Sequence, residues 1–548
     1  MNDMYSVESL SDSDALMKLD SLYGYLEYLT AKYPDHVCVS EYSDGRTAPR
    51  TYRELLGGVR NFGDYLIAEG VRNKHISIIG GFCYEWLISF FAAAYSGNAI
   101  VPADADQPGE RIISLLREGN AELAIAQKNP PGSAEKPFGG IRAISFDEVK
   151  SIASGASAAP HSIGLTRNDP IRNETAMIVY TSGTTGKSKG VMLSHRNILH
   201  DVIGTAAIIG EHTFSPGDTT IVVLPLFHMY GITGLLITLY YGAVLCYSKN
   251  TIKDIEALLG AYKPKGLIVV PQIVEGLHKK IWASAKRIKR QNELSFFLKV
   301  SRFLRIWNID MRKLIFKRVL APFGGGFILI CGGAAIDGKI VEEMNEFGFK
   351  VLVGYGITEC SPIVSVNPPG RQKPGSVGVP LQAPLCGVKA EDGEIMVRGS
   401  IVMAGYYNNP EETASAFGGD SWFKTGDLGV VDEDGFLYIT GRKKNLIILS
   451  DGNNISPEEL EARISQSPAV DSVMVGEKAA GPVSVLSASV YPDYAYCRDN
   501  GVSDVRREIE KLIRQVNGEN PKYMKISDIV IKDAPFEKTA TGKIKRHA

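Results

Sequence analysis

Two hydrophobic rhythms alternate along the chain. Short apolar runs at 267–270 and 327–331 end at Pro271 and Gly332. Their length and branched aliphatic content predict buried strands. Between them lie stretches with apolar positions three and four apart, as at 341–347, which predict helices packed by one face. The segment 94–102 carries a helix end into a strand. This alternation argues an α/β architecture with mixed or parallel sheets. From Gly393 the pattern changes. Runs at 394–397 and 436–439 are set off by Asp392-Gly393 and Asp434-Gly435, hairpin dipeptides that predict a smaller β unit. After Arg442 a small α+β module begins. Its first helix opens at Ser456-Pro457-Glu458-Glu459, a serine N-cap followed by proline at the first helical position.

Composition narrows the class. With 548 residues the chain has room for roughly three or four domain-sized units. Hydrophobic residues make up 44%, and 60 Lys+Arg face 61 Asp+Glu for a net charge of -1. That excludes general disorder and a uniformly basic nucleic-acid binder. The seven cysteines are scattered with no C-x-x-C, which predicts free thiols in a reducing cytosol rather than a disulfide or zinc framework. The opening Met1-Asn2-Asp3-Met4 has no basic segment before an apolar core, so no signal peptide and a cytoplasmic location are expected. The uncharged stretch 219–248 is long enough to span a bilayer. Pro225 and His228 interrupt it, and Gly231, Gly234 and Gly242 suit close packing. A buried strand, a turn at Pro225 and a buried helix are expected instead.

The residues from 276 to 321 are the outlier. Thirteen Lys/Arg stand against only Glu293 and Asp310, a local net of +11. Trp282, Phe296, Phe297, Phe303, Trp307 and Phe316 are interleaved with them. Two readings stand at this point. One is a solvated face on helices packed against the core. The other is a basic amphipathic surface for anionic lipid or a polyanionic ligand, giving peripheral contact at the inner membrane face.

The strongest chemical signal runs from Tyr180 to Gly190 (YTSGTTGKSKG). Thr181, Ser182, Thr184 and Thr185 offer hydroxyl donors, Gly183, Gly186 and Gly190 let backbone amides approach a ligand, and Lys187 and Lys189 supply charge. Such a loop suits phosphates. It is not a Walker A loop, because only two residues separate Gly183 from Gly186-Lys187-Ser188. Val191-Met192-Leu193 then reads as strand, and a helix opens only at Ser194. The expectation is a strand–loop–strand phosphate clamp.

These residues resemble the signature of the adenylate-forming superfamily, which includes acyl-CoA synthetases, luciferases and peptide-synthetase adenylation domains. Further segments match in family order: 224–231 (LPLFHMYG), 331–337 (CGGAAID), 354–362 (GYGITECSP), 422–429 (WFKTGDLG), 441–444 (GRKK) and 535–546 (PFEKTATGKIKR). The resemblance implies an N-terminal domain, 1–441, of two mixed α/β subdomains plus the small β unit, carrying the basic helical insertion 276–321. It implies a mobile C-terminal domain, 442–548. ATP phosphates would lie on Thr181, Ser182, Gly183, Thr184, Thr185, Gly186 and Lys187. Adenine and ribose would meet Gly332, Gly333, Ala334, Gly354, Tyr355, Gly356, Asp427 and Arg442. Thr358 would donate to the α-phosphate, and Glu359 with Thr185 would hold Mg²⁺. Lys543 would stabilise charge as pyrophosphate leaves. Lys444 would be the hinge, although many relatives carry Asp there. Gly452 would lie on the CoA path, and His228, Tyr230 and Gly231 at the acyl pocket.

The resemblance is greatest to bacterial long-chain acyl-CoA synthetases, through 441–452, through 270–280 with the basic insertion that follows, and through 367–378. It implies activation of a fatty acid to acyl-AMP by ATP, then transfer to CoA. Two alternatives stay open: an acyl-AMP ligase loading a carrier-protein pantetheine, and a medium-chain or aryl acid–CoA ligase. Oligomeric state is not encoded in any of these motifs.

Overall fold

A computed structural model describes residues 15–128, 137–155, 174–181, 188–210, 213–307, 309–323, 327–448, 454–480, 483–537, 544 and 546. Two large sheets organise the N-terminal part. The first has seven strands, in the order Gly405–Tyr406, Lys189–Ser194, Thr175–Thr181, Ala99–Ala103, His75–Ile79, Leu123–Ala126 and Arg142–Ser145. The five strands from Thr175–Thr181 onward pair in parallel, and the edge turns antiparallel at Lys189–Ser194. The central strands are buried along their length, as parallel strands covered on both faces must be. The second sheet has nine strands. Its middle (Lys350–Gly356, Ile328–Cys331, Gly266–Val269, Thr219–Ile221, Val244–Tyr247 and Val37–Ser43) is parallel, and both of its edges are antiparallel. The mixed α/β class expected from the hydrophobic rhythm is the class observed.

The uncharged stretch 219–248 resolves into the strand Thr219–Ile221, the helix Met229–Tyr240 and the strand Val244–Tyr247. This helix is apolar all round because it is buried all round. Gly231 and Gly234 permit its approach: a Cβ at Gly231 would stand 2.4 Å from the Pro225 carbonyl oxygen, and one at Gly234 would stand 2.8 Å from Ile268. Among the described residues no helix is long and apolar enough to cross a membrane.

The small β unit is a four-stranded antiparallel sheet of Gly387–Glu391, Glu394–Arg398, Phe423–Val431 and Leu437–Arg442. Its first hairpin turns at Asp392 and Gly393, both at positive φ (50° and 76°), as the Asp-Gly pair predicts. Beyond it, Val470–Ala480, Val483–Pro492 and Ile526–Ile531 form a separate sheet. Helices Pro457–Ile464 and Val505–Glu519 accompany it, with a core of their own that includes Leu460, Val473, Leu486, Ile509 and Ile513. Pro457 does begin its helix, but Ser456 does not cap it. The Ser456 hydroxyl instead donates to the Thr440 carbonyl at 2.8 Å and bonds to Glu458. A cap side chain can serve only one geometry, and here the link back to the last strand of the β unit takes precedence.

The basic segment folds as Pro271–Arg287, Gln291–Ile306, Arg312–Ile315 and Lys317–Leu320. Its inner face is core-packed through Leu298, Phe316 and Leu320. Part of the charge is spent internally. Arg305 pairs with the buried Glu346, which also accepts from Ser301, and Arg312 donates to the Asn345 carbonyl and pairs with Asp310.

Candidate active site

The carboxyl ends of Ile328–Cys331, Lys350–Gly356 and Thr175–Thr181 open onto one cavity of about 2120 Å³, whose far wall comes from the small β unit and the C-terminal module. Ligands of α/β sheets bind at strand ends of this kind. Thr181, Lys189, His228, Tyr230, Gly332, Gly333, Ala334, Gly354, Tyr355, Gly356, Thr358, Glu359, Asp427, Arg442 and Lys444 all line it. Residues separated by more than 260 positions in sequence are thus brought to one wall.

Asp427 is the polar centre of that wall. It lies on Phe423–Val431 directly opposite Arg442 on the neighbouring strand. Arg442 Nε donates to its Oδ1 at 2.6 Å and the Tyr355 hydroxyl donates to its Oδ2 at 2.6 Å. Its own backbone amide donates to Thr425 Oγ1. Asp427 is 3% exposed, and a carboxylate so deeply placed is tolerable only when paired. Burial works against the Arg442 charge, yet Asp427 outweighs it and holds the guanidinium above its usual range. Burial, then Asp427, pushes the Tyr355 hydroxyl well above its usual value, so it remains a donor. A carboxylate offers about four acceptor positions. Two side-chain donors leave Asp427 able to accept from a further pair of hydroxyls.

Glu359 sits in the tight turn Thr358–Cys360, just past Lys350–Gly356. The Tyr406 hydroxyl donates to its Oε1 at 3.0 Å, and burial keeps that hydroxyl protonated. Lys189 Nζ stands 5.2 Å from the Tyr406 ring centroid and pairs with Glu412 at 2.5 Å. The two-residue strand Gly405–Tyr406 is added to the edge at Val191–Met192, which brings this chain of contacts together. Tyr406, Glu412 and Thr425 were not singled out from the sequence. The signal available was local: Asn409 caps the helix Pro410–Ala416, with Glu411 and Glu412 in its first turn.

The glycines have specific neighbours. A Cβ at Gly356 would stand 2.0 Å from the Pro362 carbonyl oxygen, and one at Gly354 would stand 3.0 Å from the Ser365 oxygen. Both are small so that Ile363–Val366 can cross close by. Gly332 faces the Tyr230 ring, whose hydroxyl donates to the Ile330 carbonyl at 2.9 Å. Tyr230 therefore props the strand end. His228 precedes the helix Met229–Tyr240, and its ring packs at a tilt of 51° against Phe227. Gly231, expected at the acyl pocket, does not line the main cavity.

At the expected hinge, Lys443 pairs with Glu394 at 2.6 Å while Lys444 lines the cavity. Burial, then Arg442, lowers the Lys444 pKa. Ser182, Gly183, Thr184, Thr185, Gly186, Lys187, Gly452 and Lys543 lie outside the described residues. Ile544 and Arg546, flanking the last of these, line the cavity, and Arg546 bonds to Glu461 and the Val475 carbonyl.

Among the described residues no cluster of three or more His, Cys, Asp or Glu could hold a metal. One carboxylate beside a phosphate site still suits Mg²⁺, which takes one or two protein carboxylates and completes its shell with substrate phosphates and water. Glu359, which lines the cavity together with Thr181 and Lys189, has the donor chemistry for such a site.

The chain resembles known proteins along nearly its whole length. It is 27% identical to a long-chain-fatty-acid–CoA ligase of Mycobacterium bovis, over 94% of this chain and 92% of that one. It is 26% identical to the long-chain-fatty-acid–CoA ligase of Bacillus subtilis, over 81% of this chain and 80% of that protein. Its fold matches the o-succinylbenzoate coenzyme A synthetase of Bacillus subtilis, solved in complex with ATP and magnesium ion. There the TM-score is 0.73 at 24% identity, covering 95% of this chain and 98% of that one. The AMP-binding enzyme pattern matches residues 26–407 and its C-terminal domain pattern matches 444–548. With the pattern spanning both the large sheets and the terminal module, the chain belongs to the AMP-binding enzyme family.

Proposed function

We propose that this chain is an AMP-forming acid–thiol ligase that converts a long-chain fatty acid, ATP and CoA to acyl-CoA, AMP and pyrophosphate. One observation carries the reading: Tyr355, Asp427, Arg442 and Glu359 converge on one cavity in a chain that aligns nearly end to end with long-chain-fatty-acid–CoA ligases. Adenine stacks on Tyr355, whose ring is fixed by the hydroxyl bond to Asp427, with Gly332, Gly333 and Ala334 beside it. Asp427 accepts the ribose hydroxyls, and Arg442 holds it in place through the bond to Oδ1. The phosphates lie along 181–189, with Thr358 donating to the α-phosphate. Glu359 and Thr185 would hold Mg²⁺, which would neutralise charge on the phosphates.

The fatty carboxylate oxygen attacks the α-phosphorus in line, and the bond to pyrophosphate breaks. Lys543 stabilises the charge that builds on the α-phosphate. The module from 442 onward then rotates about Lys444. The CoA sulfur attacks the acyl carbonyl carbon, and AMP leaves. Positioning and charge stabilisation supply most of the rate in chemistry of this kind. The basic segment 276–321 gives the enzyme peripheral contact with anionic membrane.

Pyrophosphate release across carboxylic acids of rising chain length, with CoA and holo-carrier protein offered separately, tests the reading. Turnover rising toward long chains with CoA as acceptor is expected. Response to aryl acids alone, or acyl transfer only to carrier protein, contradicts it.

A further inference from the structure

Fifteen large apolar side chains are exposed among the described residues, and nine of them fall between 288 and 314. On the helix Gln291–Ile306, Leu298 and Ser301 are buried against the protein. Phe296 and Phe303, seven residues apart, lie on the opposite side, and Trp307 follows at the helix end. Phe303 is 61% exposed, Ile306 76%, Trp307 68% and Leu314 67%. Helical segments here thus have two apolar faces, and only one is packed. A monomeric surface rarely leaves such side chains clustered without a purpose.

Charge identifies what covers them. Arg305 and Arg312 are occupied by Glu346 and Asp310. Lys299, Lys313, Lys317 and Arg318 are exposed, and none has an ion-pair partner among the described residues. Lys299 shares the helix Gln291–Ile306 with Phe296 and Phe303, Lys313 precedes Leu314 on Arg312–Ile315, and Lys317 and Arg318 follow on Lys317–Leu320. Exposed aromatic and aliphatic residues framed by unneutralised Lys and Arg match the two layers of an anionic bilayer surface, acyl boundary beneath and phosphate above. A second copy of this chain would bring the same positive charge against itself.

We propose that the outer face of 291–318 is a membrane-docking wedge. Phe296, Phe303, Ile306, Trp307 and Leu314 enter the acyl boundary of a leaflet containing anionic phospholipid, and Lys299, Lys313, Lys317 and Arg318 engage its phosphates. This sharpens the membrane contact included in the functional reading. The vesicle measurement makes no use of the reaction, so failure of the wedge and failure of the ligase reading are separable.

The test is co-sedimentation of the full chain with vesicles of phosphatidylcholine alone or mixed with phosphatidylglycerol. Binding to the mixed vesicles that weakens with salt is expected. Phe303→Ser/Trp307→Ser/Leu314→Ser should lower partitioning by about tenfold or more at any salt. Lys299→Glu/Lys313→Glu/Lys317→Glu should lower it comparably at low salt and much less at high salt. All six side chains are exposed, and an unchanged thermal midpoint confirms that the variants fold. Absence of wild-type binding to either vesicle overturns the proposal, as does wild-type partitioning by both variants. So does a wild-type dimer that the apolar variant converts to monomer without any vesicle binding.

Discussion

Asp427 shows how a single buried side chain can organise a site. Its two oxygens hold Arg442 and Tyr355, and the three side chains come from three separate strands. Tyr355→Phe keeps the ring and removes one hydrogen bond to a charged group, worth about 1.5–3 kcal/mol. The expected result is a ten- to hundredfold loss in kcat/KM for ATP, with the KM for fatty acid nearly unchanged. Tyr406→Phe removes the donor to Glu359. It should raise the Mg²⁺ concentration needed for half-maximal rate by about tenfold while leaving the thermal midpoint in place. A loss independent of Mg²⁺ would assign Tyr406 a packing role only. Tyr355, Glu359 and Asp427 were legible in the sequence because each sits inside a motif of fixed spacing. Tyr406 was not, because its role arises only where Gly405–Tyr406 joins the edge of Lys189–Ser194, an approach across more than 200 residues.

Elements were legible where pattern and burial agree. The strands at 267–270 and 327–331, the helix at 341–347 and the Asp-Gly hairpin follow from local rules. Ser456 did not follow, because a tertiary acceptor, the Thr440 carbonyl, competes with the cap. Gly354 and Gly356 lie in the motif, but their size answers to the crossing of Ile363–Val366, which no spacing announces. His195 gives the element scale its pH dependence. It opens the helix His195–Ile209 and accepts from the Leu22 amide that begins the helix Leu22–Lys32. Burial lowers its pKa from 6.5 to about 4. Between those values the unfolded chain binds a proton that the folded chain does not. The stabilisation is complete above pH 6.5 and is lost as pH falls toward 4. At 1.36 kcal/mol per pKa unit this amounts to about 2 kcal/mol between pH 7.5 and pH 5. Urea midpoints at the two pH values measure it, and His195→Gln should remove that part of the slope.

At the scale of the molecule, the net charge of -1 conceals an uneven surface, and the packing of the basic segment follows the first of the two readings the sequence left open. Its inner face packs on the core, while its outer face leaves aromatic residues and lysines to solvent. Arg442 and Lys443 pair with Asp427 and Glu394 at the expected hinge, and beyond it the polar contacts between the two parts, among the described residues, include Lys339 to Gln466, Lys286 to Asn500, Lys279 to Asp493 and the Ser456 link, all at exposed or half-buried positions. The contacts away from the hinge are hydrated and resist a rotation of the terminal module only weakly. If that module carries Lys543 into the site for the first step only, Lys543→Ala separates the half-reactions. Adenylation should fall by about a hundredfold or more, while thioester formation from supplied acyl-AMP and CoA should keep most of its rate. Equal losses in both would remove Lys543 from its assigned role. The central claim is tested most directly by product stoichiometry. The chain is mixed with ATP, Mg²⁺, a long-chain fatty acid and CoA, and every product is followed by mass. AMP, pyrophosphate and acyl-CoA in equal amounts, each abolished when the fatty acid is left out, is the predicted result. ADP with phosphate, or ATP consumption without acyl-CoA, would contradict it.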